Sequence, residues 1–126
     1  MKNMKDNIKI IESTNKPLLA IGVGYIFLGA AYGAKPKEIQ SEKTDRVKIE
    51  HSCPLTLDLK RVFTVMQSCT HGFQEIPENF KIIASSSKYE FKIIGEMEKP
   101  FFGVHFNPEL GGDGLKVIDN FTKFVD

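Results

Sequence analysis

The sequence has little charge of one sign, few cysteines, no long apolar run and no repeat, and each absence closes a class of function. Lys and Arg number 17 against 16 Asp and Glu, a formal net charge of +1 spread along the chain. Nothing gathers into the basic face that a phosphate backbone requires, which argues against a nucleic-acid partner. No apolar stretch approaches the ~20 residues that span a bilayer. The opening "MKNMKDNIKIIESTNK" is charged throughout and lacks the apolar core of a signal peptide. No membrane partner and a cytoplasmic location are therefore expected. Two cysteines, Cys53 and Cys69, are too few for a disulfide framework and read as free thiols in a reducing compartment. Without repeat, low-complexity segment or linker, residues 1–126 read as one domain. Its 41% hydrophobic and 26% charged residues are the balance of a chain with a single core.

What is present starts with a change of period. Met4, Ile8 and Ile11 fall at i, i+4 and i+7, so the spacing predicts an amphipathic helix over 3–14, closed before Pro17. "LLAIG" is a continuous apolar run, the pattern of a central parallel strand covered on both faces. After the Gly-x-Gly at 22–24, "YIFLGAAYG" reads as a buried helix ending at Gly33. Strand composition returns at 45–51 and 61–68, with a turn around Cys53 and Pro54 between them. Residues 80–87 and 89–97 pattern as a hairpin, and "PFFGVHF" at 100–106 as a further strand led by proline. Leu115, Ile118, Phe121 and Phe124 then mark a closing amphipathic helix.

A strand, an abrupt glycine turn and an apolar helix is how many α/β enzymes mount a nucleophile. Three stretches carry a resemblance that makes this specific. "AIGVGYI" (20–26) is similar to the Gly-Ile-Cys-x-Gly-[His/Met]-Gln elbow of the class I glutamine amidotransferases, and "YGA" (32–34) to the Tyr-Gly-Gly after its helix. "SCTHGFQEIPENF" matches the family's Ser-His-Gly-Asp-x-Val and Leu-Pro-Glu-Gly-Phe without a gap, which sets Ser68, Cys69, Thr70 and His71 on the first four positions and keeps Pro77 and Phe80. "FGVHFNPE" (102–109) resembles the family's Tyr-Gly-Val-Gln-Phe-His-Pro-Glu. The likeness is greatest to the glutaminase subunit or domain of GMP synthases.

The resemblance implies an α/β fold: a truncated, flavodoxin-like amidotransferase sheet flanked by helices, with a β-rich middle. With Met1 as the start, no counterpart of the usual N-terminal βαβ region, with its Gly-rich oxyanion loop, is expected. It also implies covalent hydrolysis of glutamine by a Cys, His and Glu, and here the residues depart from the pattern. Gly22 stands at the Cys position, Asn107 at the His position, and only Glu109 is kept. Glycine has no nucleophile, and a carboxamide does not titrate near neutrality and cannot act as general base. The family's glutamine-holding Gln is Ile26. Substrate-pocket positions by resemblance are Val23, Gly24, Tyr25, Ile26, Ser68, Cys69 and Thr70. The expectation is a protein that is no longer an enzyme, has no cofactor, and binds a synthetase subunit or an active amidotransferase paralogue. The open sheet edge left by the absent strands adds self-association as a homo-oligomer. A Glu109–Asn107 hydrogen bond would preserve the loop geometry.

Two other readings carry less. Cys69 and His71, or His105 near the old catalytic position, are candidates for a different enzyme in a remodelled pocket, but no acid is identifiable as an orienting third group. A split or decayed glutaminase fragment is the remaining alternative. His51, Cys53, Cys69, His71 and His105 lack zinc-site spacing, so no metal is expected. "GGDG" (111–114) reads as a flexible loop into the last helix, because Asp113 would repel an anion.

Overall fold

The computed structural model describes residues 2–126, with side chains from residue 5 onward. The expected core role of Met4 lies outside the described side chains. Helix α1 (Lys2–Ser13) buries Ile11 and half-buries Ile8 against the next helix, as their spacing requires. Strand β1 (Leu18–Ile21) turns at Gly22 into α2 (Val23–Ala31). There follow β2 (Pro36–Glu38), β3 (Thr44–Ile49), β4 (Val62–Met66), β5 (His71–Phe73), β6 (Phe80–Ser85), β7 (Ile93–Glu96), β8 (Phe101–Val104) and α3 (Gly114–Val125).

Six strands form one sheet in the order β1-β8-β7-β6-β3-β4, parallel only between β1 and β8. The expected hairpin at 80–97 is present as β6–β7, with a bulge between Ile82 and Ala84. β2 and β5, which the sequence did not signal, form a separate two-stranded ribbon.

Strand alternation splits the core into two layers. Leu19, Ile21, Ile93, Phe102 and Val104 point to one face, where Val117 and Phe121 of α3 cover them. Leu18, Ala20, Ile94 and Phe101 point to the other, under Ile11 of α1 and Tyr25 and Leu28 of α2. β8 is buried along its whole length. Truncating Phe101 there costs about 3–5 kcal/mol, a cavity as well as lost transfer energy.

β1 departs from expectation in one respect. It is covered on both faces, but among the described residues it pairs along one edge only, with β8. A continuous apolar run reports buried faces and says nothing of hydrogen-bonded edges. The 111–114 loop is also less free than its glycines suggested. Asp113 accepts from the Thr64 amide at 2.9 Å, and its own amide donates to the Thr64 carbonyl at 2.9 Å, so the start of α3 is tied to β4.

Candidate functional site

Parallel pairing of β1 with β8 sets Ile21 beside Val104, so both strands end on the same side of the sheet. Ligand sites of open α/β sheets lie beyond the carboxyl ends of their strands, and Gly22 and Asn107 both emerge there. Gly22 has φ +58° and ψ −120°, a left-handed conformation in which a side chain is strained. The backbone is thus sharply turned. Among the described residues, a Cβ on Gly22 would meet only the Asn107 Nδ2, at 3.8 Å.

Asn107 organises the floor beside this turn. Its Oδ1 accepts from the Ser68 amide at 2.7 Å, the Ser68 hydroxyl at 3.3 Å and the Cys69 thiol at 3.7 Å. Its Nδ2 donates to Glu109 Oε2 at 3.4 Å, the hydrogen bond expected from the sequence. Around these groups lies a cavity of about 480 Å³. Its lining unites Gly22, Val23, Ile26, Ser68, Cys69, Thr70 and Asn107 from the expected pocket with His71 from the alternative thiol reading, and adds Phe27 and Pro36. A broader groove of about 570 Å³, between residues 32–37 and 74–77, shares Pro36 with it and none of its other lining residues.

Gly24 and Tyr25 are not part of this lining. Tyr25 faces the opposite side of α2, fully buried; its hydroxyl donates to the Phe91 carbonyl at 2.9 Å and pairs with the Tyr89 hydroxyl at 2.7 Å. Burial raises the Tyr25 phenol well above its ordinary pKa, and the neighbouring Tyr89 adds to this. The helical period explains the division. Val23, Ile26 and Phe27 share one face at i, i+3 and i+4, whereas Tyr25, Leu28 and Gly29 share the other.

Beneath the floor is a cluster that the sequence did not reveal. Lys92 is buried, and its ammonium donates to Gln67 Oε1 and to His105 Nδ1 (3.4 Å), with Asp45 Oδ2 at 3.5 Å. Because Nδ1 accepts, His105 Nε2 carries the proton and donates to the His71 carbonyl at 2.8 Å. Burial, then the charge of Lys92, pushes the His105 pKa down to about 4, so the ring is neutral. Burial also lowers the Lys92 pKa, against the opposing pull of Asp45. The segment 67–71 is thereby held at both ends: Gln67 on Lys92, the His71 carbonyl on His105.

This arrangement does not form the alternative thiol site. Cys69 donates to Asn107, whereas His71 Nδ1 contacts the Thr70 hydroxyl at 2.9 Å. Burial raises the Cys69 pKa, with Lys92 opposing, which disfavours the thiolate that a nucleophile needs. His105 is turned into the buried cluster. Among the described residues, no group of three or more His, Cys, Asp or Glu is placed to hold a metal ion.

A helix-flanked α/β sheet whose candidate site lies on a glycine-turned strand–helix junction beside an Asn-Pro-Glu segment defines the class of protein. The class-I glutamine amidotransferase profile matches residues 1–123, and the chain belongs to that family. It is 26% identical over 127 residues to the glutamine-hydrolysing GMP synthase subunit of Methanocaldococcus jannaschii, covering 98% of this chain and 68% of that one. Identity to the glutamine-hydrolysing GMP synthase of Clostridium novyi is 32% over 117 residues, covering 90% of this chain and 23% of the relative. A solved structure of a GMP synthase subunit from Thermoplasma acidophilum superposes with a TM-score of 0.91 at 23% identity, covering 98% of this chain and 64% of that one. That likeness shows the fold. The chain thus spans about two thirds of the GMP synthase subunits it matches and about a quarter of the longer synthase.

Proposed function

We propose that this chain is a catalytically silent amidotransferase domain whose work is binding: it docks on a synthetase subunit or on an active amidotransferase relative. The observation that carries this reading is the pair Gly22 and Asn107. They stand together at the strand ends, where a nucleophile and its base would be needed, and neither can perform those roles. The strand, turn and helix around Gly22 are kept, and the Asn107–Glu109 hydrogen bond keeps the loop in place without a titrating base.

The relatives are named for a glutamine-hydrolysing GMP synthase, which supports a synthetase as the partner. The single-edged pairing of β1 supports a second mode of assembly, a strand from another copy added along that edge. Two free half-buried thiols and, among the described residues, no helix long and apolar enough to cross a membrane are compatible with the cytoplasm, where we place it.

Two measurements on the purified chain test this. Ammonia release from glutamine is expected to equal the buffer blank, alone and with a synthetase subunit; release that scales with protein would refute the silent reading. Light scattering, alone and mixed with that subunit, is expected to show a defined complex. A monomer in both conditions would refute the docking role.

A further inference from the structure

We infer that the cavity beside Gly22 receives a small uncharged apolar molecule and rejects glutamine, an inference that rests on the reading of this site as one that binds without hydrolysing. One wall is the helix face of Val23, Ile26 and Phe27, and Pro36 contributes a second apolar surface. No Asp, Glu, Lys or Arg lines the cavity. Lys92 lies buried and already engaged with Gln67, His105 and Asp45.

The polar floor is also already occupied. Ser68 N–H, Ser68 O–H and Cys69 S–H all converge on Asn107 Oδ1, so the protein's own carboxamide takes the donors that an incoming amide would need. An amino-acid zwitterion would surrender the hydration of two charges and find no charged side chain in the lining to compensate, while Glu109, outside it, already accepts from Asn107. An apolar ring loses no such hydration and gains contact with the aliphatic and aromatic wall. The space suits it, since about 480 Å³ falls in the range of small-molecule sites. In the lining Thr70 Oγ1 and His71 Nδ1 pair with each other at 2.9 Å, and the threonine oxygen keeps a lone pair for a single N–H or O–H of a ligand.

Indole is the probe, added to the whole chain carrying 13C-labelled Val and Ile methyl groups, with glutamine in a parallel titration. Saturable shifts at Val23 and Ile26 are expected with indole, and none with glutamine. Val23→Asp and Ile26→Glu should each weaken indole about tenfold or more. Val23 is 67% exposed, so its variant tests the site without challenging the core. Glutamine moving the same methyls, or indole leaving them unmoved, would overturn the inference. Ammonia release in the glutamine sample would instead overturn the silent reading, so the two failures are distinguishable.

Discussion

The ammonium of Lys92 lies 3.4 Å from Nδ1 of His105, and both side chains are buried. Burial, and then a cation so placed, hold the imidazole neutral, and this has a pH consequence. The folded pKa of about 4 lies below the ordinary 6.5, so between those values the unfolded chain binds a proton that the folded chain refuses. The contribution is complete above pH 6.5 and is lost as pH falls towards 4. Between pH 7 and pH 5 it amounts to about 2 kcal/mol. Urea unfolding at the two pH values checks this. His105→Gln, which can still donate to the His71 carbonyl, should flatten that part of the profile; an unchanged slope would show that other groups cause it.

Lys92 itself gives a second test. Lys92→Met leaves Asp45 without its cation and Gln67 Oε1 without its donor, at a cost of about 3–5 kcal/mol. Adding Asp45→Leu should recover part of that loss, because an uncompensated buried carboxylate is worse than none. In Lys92→Met the His105 pKa should also rise, since one of the two causes holding it down has gone. An NMR titration of the ring reads this shift, which a purely packing role for Lys92 would not produce.

Two glycines separate backbone strain from steric exclusion. At Gly22 a methyl has room, its nearest neighbour being Asn107 Nδ2 at 3.8 Å, so Gly22→Ala should cost about 1–3 kcal/mol through its φ of +58° alone. At Gly29, within α2, the added Cβ would stand 2.3 Å from the Phe73 ring. Helix propensity favours alanine there by about 1 kcal/mol, yet the clash should make Gly29→Ala destabilising. Pairing it with Phe73→Leu should restore part of the loss, whereas Gly22→Ala should be indifferent to Phe73. Denaturant midpoints of the single and double variants decide it.

The sequence was most legible where a local pattern and a motif coincide. The apolar run of β1, the glycine turn and the Gly-Val-x-Phe-x-Pro-Glu segment located the two strand ends beside which the candidate cavity lies. The helical phase that sends Tyr25 inward and Val23 outward was also written in the sequence, but a motif match ranks residues by position and ignores which face they occupy. Lys92 left no local signal. In "YEFKIIGEM" it occupies an ordinary polar place, and only the distant Asp45, Gln67 and His105 make its burial tolerable. β2 and β5 are three residues each, too short for a period, and β2 is exposed throughout.

The distance from a Cβ on Gly22 to Asn107 Nδ2 allows the proposed silence of the site to be tested by rebuilding it in part. Gly22→Cys with Asn107→His would set a thiol against an imidazole two residues before Glu109, on a backbone already turned as an elbow. A thiol beside a histidine is acidified, so the double variant should be alkylated at pH 6.5 about tenfold faster, or more, than the parent protein, whose Cys53 and Cys69 are both held protonated by burial. The Gly22→Cys single variant should show little of this gain. Glutamine hydrolysis should remain absent even so, because Ile26 and the apolar wall still offer the substrate no polar contact, and a reactive thiol without a bound substrate turns nothing over. If the double variant released ammonia from glutamine and the parent did not, two side chains alone would account for the proposed silence. A fast thiol with no ammonia release would place the larger change in the pocket.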